Sequence, residues 1–201
     1  MRGTARERCS RGYRYRAARV IGVLVSGAGT NLQALIDAGL PISAVASNKE
    51  GAPALARGAQ AGIRTGVFEL EDYASREERD LAMAEWLGAA GAELVVCAGY
   101  MQLLTPLFLE RFPAINVHPS LLPAFPGVDA IGQALAARVA ETGVTVHFLD
   151  EGVDSGPLIL QETVPVEPGD TPETLHERIR PVEHRLLPEA VRLYLAGAVP
   201  S

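Results

Sequence analysis

The chain has 201 residues, 48% of them hydrophobic, which suits one domain or two tightly merged lobes around a sizeable core. The first 19 residues hold seven of the 18 basic residues and one of the 24 acidic ones. That leaves 11 against 23 beyond them, a net charge of −12 over residues 20–201. So acidic a body argues against nucleic-acid binding through a broad basic face, and no apolar run approaches membrane-spanning length.

Residues 1–17 are rich in arginine but have neither apolar periodicity nor the apolar segment of a secretory signal. They are expected to form a basic disordered tail, with residues 18–201 as a single domain. From Val20 to Val25 the run is continuously apolar, as in a strand buried on both faces. Ser26-Gly27-Ala28-Gly29-Thr30-Asn31 follows, and Leu32 to Ile36 suggests a short helix. Ile42 to Ala46 reads as a strand, Pro53 to Ala61 as a helix closed by Gly62, and Val67-Phe68 as part of a third strand. Ser75 with Glu78 three residues on is a capping box that opens a helix running to Ala90. Leu94 to Ala98 is a fourth strand and contains Cys97; with Cys9 the only other cysteine, no disulfide framework is implied and a reducing cytoplasm is expected. Pro106 to Phe112 reads as a short helix, and an apolar strand begins at Ala114.

Alternating strands and helices argue for a largely parallel α/β sheet. Gln133 to Ala140 reads as helix. Val144 to Leu149 and Leu158 to Val166 have no helix between them, so they are expected to pair antiparallel. A last helix runs from Thr171 to Leu195, kinked or broken near Pro181 and Pro188.

Two places carry chemistry. The glycine loop after the first strand offers backbone N–H groups at a helix N-terminus, a geometry suited to phosphate or to a tight turn alone. It is not a dinucleotide fingerprint, because Leu32 stands at the third glycine position, and it lacks the G-K-[ST] of a P-loop. The second place is Asn116 and His118. Two apart, they leave one face of a strand at its C-terminal end, where open α/β sheets build their sites. Further on, the acid Asp154 sits in a glycine-flanked turn, whose bland reading is a solvated acidic loop. An amide, an imidazole and a carboxylate brought together could stabilise an oxyanion and move a proton. His147 lies mid-strand and reads as structural; His176 and His184 read as unrelated to chemistry. No metal-ligand spacing is present.

N-x-H-P-S-L-L-P from Asn116 to Pro123, D-x-G-P-L-I-L-Q from Asp154 to Gln161 and the loop at Gly27 together resemble the folate-dependent formyltransferase family. The resemblance runs from about Val20 to about Leu195. It implies a formyltransferase fold, that is, a Rossmann-like, mostly parallel twisted sheet flanked by helices, with antiparallel strands in the C-terminal half. It implies transfer of the formyl group of 10-formyltetrahydrofolate to the amine of glycinamide ribonucleotide, in purine synthesis, without a metal. Asn116 would donate to the oxyanion, His118 would act as the acid, and Asp154 would favour the charged imidazole and order a water. Gly29, Thr30 and Asn31 would hold the phosphate, and Arg180 and Glu183 would form the wall at the ribose. The folate would meet Arg76, the segment Met101, Gln102, Leu103 and Leu104, Asn116, and the turn Asp150, Glu151, Gly152, Val153 and Asp154.

Family members often carry a polar residue at Ala28 and a basic one at Gln102, and often histidines in the stretch held here by Gly127 to Ile131, which leaves no role expected there. The partners implied are small molecules alone, with neither nucleic acid nor membrane, and a monomer or homodimer in the cytoplasm. Methionyl-tRNA formyltransferase shares the Asn, His and Asp pattern but carries an added basic domain; formyltetrahydrofolate deformylase adds an N-terminal regulatory domain. An acidic chain ending at Ser201, with 19 residues before its first strand, is expected to be neither.

Overall fold

The computed structural model describes residues 20–199; the expected tail, residues 1–17, lies outside them. Strand β1 (Ile21–Val25) is buried at every position because β2 (Ile42–Ser47) and β4 (Leu94–Cys97) flank it in parallel and helices cover both faces. From β1 the sheet grows through β2 to β3 (Arg64–Val67) on one side. On the other it grows through β4, β5 (Ala114–His118), β6 (Glu141–Phe148) and β7 (Leu158–Pro165). Strands β1 to β5 run parallel, and β6 is antiparallel to both β5 and β7. The growth direction reverses between β1 and β4, so the switch point lies beyond their C-terminal ends, where an open α/β sheet leaves a crevice. There the Ser26 N–H donates to the Gly99 carbonyl at 3.2 Å, joining the two loops.

Alternate residues of the strands feed two cores. Ile21, Val23 and Val25 pack with α1 (Thr30–Asp37) and with α6 (Pro172–Leu195). Leu24 faces the other way, toward Met83 and Leu87 of α3 (Arg76–Ala89) and Phe108 of α4 (Pro106–Arg111). Between these, α2 (Pro53–Gln60) follows β2, and α5 (Ala130–Ala136) precedes β6.

Four expectations are corrected. β3 begins at Arg64 and ends before Phe68, and a 3-10 turn at Leu70–Asp72 follows it. Helix α5 starts at Ala130, because Asp129 caps it by accepting from the Gly132 N–H, and it ends before Arg138, which adopts a left-handed φ of 51°. Strand β6 starts at Glu141, claimed by pairing with Pro165, a pull that Glu141 and Gly143, both of low strand propensity, do not reveal alone. α6 is one helix of 24 residues with both prolines inside it. Each proline removes one ladder bond, but buried Ile179, Leu186, Leu187, Ala190 and Val191 hold the helix on the sheet. The Ser75 cap forms as expected, while the Glu78 carboxylate reaches back to the Ala74 N–H rather than to Ser75.

Candidate active site

Strand β5 carries Asn116 and His118 on one face, at its C-terminal end. The loop between β6 and β7 brings Asp154 over them in a left-handed turn, φ 51°. Asp154 Oδ2 accepts from the Gly127 N–H at 2.8 Å and lies 3.4 Å from His118 Nδ1; Oδ1 lies 3.5 Å from His147 Nε2. Asp154 is thereby brought to His118, and Asn116 lines the same cavity as both.

The Pro-rich descent after His118 is tied to the second motif. Gln161 Nε2 donates to the Leu122 carbonyl at 3.0 Å and to Thr145 Oγ1 at 2.8 Å, and Thr145 Oγ1 donates to the Ser120 carbonyl at 2.6 Å. Gly156 is required there: a Cβ on it would sit 1.9 Å from the Phe148 carbonyl oxygen.

The geometry sets where protons can sit. His118 Nε2 is 2.8 Å from the Phe125 carbonyl, which can only accept, so that nitrogen carries hydrogen. Its Nδ1 faces the carboxylate, so a ring protonated on both nitrogens satisfies both contacts. Likewise His147 Nδ1 donates to the Phe148 carbonyl at 2.8 Å. His147 Nε2 is then left between Asn116 Nδ2, at 3.3 Å, and Asp154. Burial pushes the Asp154 carboxyl up, but the hydrogen bond with His147, the Gly127 N–H and the two imidazoles outweigh it, so the group lies below its ordinary value. An ionised acid, a protonatable ring and an amide donor thus meet at one point.

Three concavities run side by side through this point. One of 460 Å³ is walled by the glycine loop, Gly27 to Asn31, and by Glu183. It shares Gly99, Met101 and Val128 with a second, of 190 Å³, that contains Asn116, His118 and Asp154. That one shares Gln102, Leu103 and Val153 with a third, of 260 Å³, walled by Arg76 and by Asp150 to Val153. Exposed Met101, Leu103, Val128 and Val153 give the mouth apolar walls suited to a planar ring system.

Several of the residues expected at the ligands are committed to other protein groups. Arg76 spends one Nη2 donor on the Leu103 carbonyl at 2.8 Å, and Met101 gives its N–H to Ser26 Oγ at 2.8 Å, so this segment is partly committed to the protein. Asp150 Oδ1 accepts from the Gly152 N–H and from Ser155 Oγ, closing its own turn. Glu183 is buried, and burial raises its carboxyl above the usual range despite the Asn31 amide at 3.3 Å and the nearby Arg180. Arg180 does not line the cavity; it acts on Glu183 from one turn earlier.

Sequence reasoning set His147 aside, yet it stands opposite Asn116 in the β5–β6 register. It also saw no role for Gly127 to Ile131, which supply the Asp154 anchor and one wall of the first cavity, and it discounted His176, which lines that cavity. Only the register of β6 against β5 could have flagged His147.

The sequence profile of the family described as "Formyl transferase" matches residues 19–191. The chain belongs to the formyl transferase family. This formyl transferase is 40% identical over 185 residues to the phosphoribosylglycinamide formyltransferase of Haemophilus influenzae, covering 88% of this chain and 87% of that protein. It is 45% identical to part of the trifunctional purine biosynthetic protein adenosine-3 of Chironomus tentans. There the match takes 89% of this chain but 14% of that much longer protein. The crystal structure of glycinamide ribonucleotide transformylase 1 from Symbiobacterium toebii superposes with a TM-score of 0.87 at 45% identity, over 96% of this chain and 94% of the other. These likenesses fit a mixed seven-stranded sheet with its antiparallel strands in the C-terminal half.

Proposed function

We propose that this formyl transferase moves the formyl group of 10-formyltetrahydrofolate to the amine of glycinamide ribonucleotide, releasing formylglycinamide ribonucleotide and tetrahydrofolate, in de novo purine synthesis. The observation that carries the reading is the position of Asn116, His118 and Asp154 in the middle one of three joined concavities, between the glycine loop and the apolar mouth. The formylated folate supplies an electrophilic formyl carbon when bound. As the ribonucleotide's amine attacks that carbon, negative charge gathers on the formyl oxygen, and the Asn116 amide and protonated His118 lie where they can hold it. The attacking nitrogen loses a proton and the departing folate nitrogen gains one; His118 serves the second transfer, and the Asp154 carboxylate, held below its ordinary value and 3.4 Å from His118 Nδ1, orients the ring and orders the water that relays the first. No nucleophilic side chain is needed.

Gly29, Thr30 and Asn31 bind the phosphate, and Glu183, held by Asn31, meets the ribose hydroxyls. The folate lies along Met101 to Leu104, Arg76 and the turn from Asp150 to Asp154. The Cys97 thiol is buried, and burial pushes it up to about 12, which leaves it unreactive. Among the described residues no helix is long and apolar enough to cross a membrane.

The test offers three acceptors with 10-formyltetrahydrofolate: glycinamide ribonucleotide, water and charged tRNA. Turnover with the ribonucleotide alone is expected. Formate release without an acceptor, or formylation of the tRNA in preference, would overturn the reading.

A further inference from the structure

The cavity assigned above to the ribonucleotide poses an electrostatic problem. Asp129, Glu173 and Glu183 line it, and no lysine or arginine does. A phosphate dianion placed at the glycine loop would share the cavity with three carboxyl groups and no permanent cation, having only backbone dipoles, the Thr30 hydroxyl and the His176 ring in its favour. The cation nearest the loop in the hydrogen-bond network stands behind it, on α2. Arg57 donates through Nε to the Ala28 carbonyl at 2.8 Å and through Nη1 to Gln33 Oε1 at 3.3 Å, gripping both the loop and the first turn of α1.

This grip determines where the loop's donors point. In a trans peptide the carbonyl and the following N–H point in opposite directions. Helix α2 captures two consecutive carbonyls: the Ala54 N–H holds Gly27 at 3.1 Å, and Arg57 holds Ala28. The N–H groups of Ala28 and Gly29 are thereby turned away from α2, to join those of Thr30 and Asn31 at the opening of α1. None of the four donates to an acceptor among the described residues. Gly29 makes the close approach possible: its φ is 74°, and a Cβ there would lie 2.6 Å from the Ala54 Cβ and 3.3 Å from Arg57 Cδ.

We infer that Arg57 is a positioning residue for phosphate recognition. By pinning the Ala28 carbonyl it presents the Gly29 N–H to the phosphate, and its charge offsets the acidic cavity from behind the loop. The inference rests on the reading of this cavity as the ribonucleotide site. An arginine that merely glued α2 to α1 would change stability and every kinetic constant together. A positioning residue changes the phosphate end alone.

The test compares the full chain with its Arg57→Met and Arg57→Lys variants. The readouts are the dissociation constant of ribose 5-phosphate, kcat, the KM for each substrate and the melting temperature. Arg57→Met is expected to weaken ribose 5-phosphate by about ten- to a hundredfold, the worth of a hydrogen bond involving a charged group. The KM for glycinamide ribonucleotide should rise in step, with kcat and the KM for the folate unchanged. Arg57→Lys, which keeps the charge and can reach one carbonyl, should recover part of the loss. Unchanged ribose 5-phosphate affinity in Arg57→Met overturns the inference, as does a parallel fall in both substrates. Should Arg57→Met not fold, Arg57→Gln, which drops the charge and shortens the reach, takes its place, and wild-type ribose 5-phosphate affinity in that variant overturns the inference. A wild-type chain that neither binds ribose 5-phosphate nor formylates the ribonucleotide sinks the functional reading itself, a different result from an indifferent Arg57.

Discussion

Asp154 and Glu183 are two half-hidden or hidden carboxyls pushed in opposite directions, and the pH dependence of stability separates them. Burial raises Asp154, but donors from His147, Gly127 and His118 win, so its folded value lies below the ordinary 3.8. A depressed carboxyl stabilises the fold above its unfolded value, and this is lost as pH falls through the folded one. Urea melts of wild type and Asp154→Asn should therefore differ fully at pH 7, and the gap should begin to close only below about pH 4. A gap that closes between pH 5 and 7 would contradict the assignment. Glu183 is raised, chiefly by burial, so the unfolded chain ionises more readily than the folded one. Its ionisation costs stability as pH rises through the folded value. Glu183→Gln should be more stable than wild type at neutral pH, with the advantage vanishing below 4.5, while the KM for the ribonucleotide rises. A less stable Glu183→Gln at pH 7 would refute the raised value. Asn116→Ala, if the amide holds the developing charge, should lower kcat about 10²- to 10³-fold with the folate KM little changed. An effect on folate affinity alone would remove that role.

At the scale of elements, the two sequence motifs form one structure. Gln161 on β7 reaches through Thr145 on β6 to the descent after β5, and the chain can turn toward Asp154 only because residue 156 is glycine. Gly156→Ala must displace the Phe148 carbonyl, and with it the β6 end that carries His147. Overpacking of this kind costs about 1–3 kcal/mol or more. The variant should lose a few degrees of melting temperature for each kcal/mol, with kcat falling as well. Wild-type values for both would show that the turn relaxes freely. These elements were legible in unequal degree. The buried parallel strands announced themselves as apolar runs, and the Ser75 cap as a polar residue placed before a periodic segment. β6 began three residues early because its first residues are specified by β7 across the sheet rather than by their own propensity. α6 stayed whole through two prolines because the core it covers outweighs two lost backbone bonds.

For the whole molecule, the order of the strands makes the site. Reversal of sheet growth between β1 and β4 leaves a crevice at their C-terminal ends, and the glycine loop, the Met101 segment and the end of β5 all open into it. Asn116 and His118 could be placed on one strand face by its period of two, whereas Asp154, in a glycine-flanked turn, is joined to them only by the resemblance of the two motifs to a known family. His147, Gly127 and Arg57 could not be read from the sequence, since each enters through a neighbour that only the fold supplies: β6 register, the anchor of a turn, and a helix behind a loop. In the proposed reaction the formyl group passes directly to the amine in this crevice, with His118 as the acid. The most direct test is a single-turnover measurement with saturating 10-formyltetrahydrofolate and glycinamide ribonucleotide, in wild type and His118→Ala. One product per site is expected in the wild type and a rate about 10²- to 10⁴-fold slower in the variant, with binding of both substrates retained. Formylglycinamide ribonucleotide produced at the wild-type rate without the imidazole would contradict it.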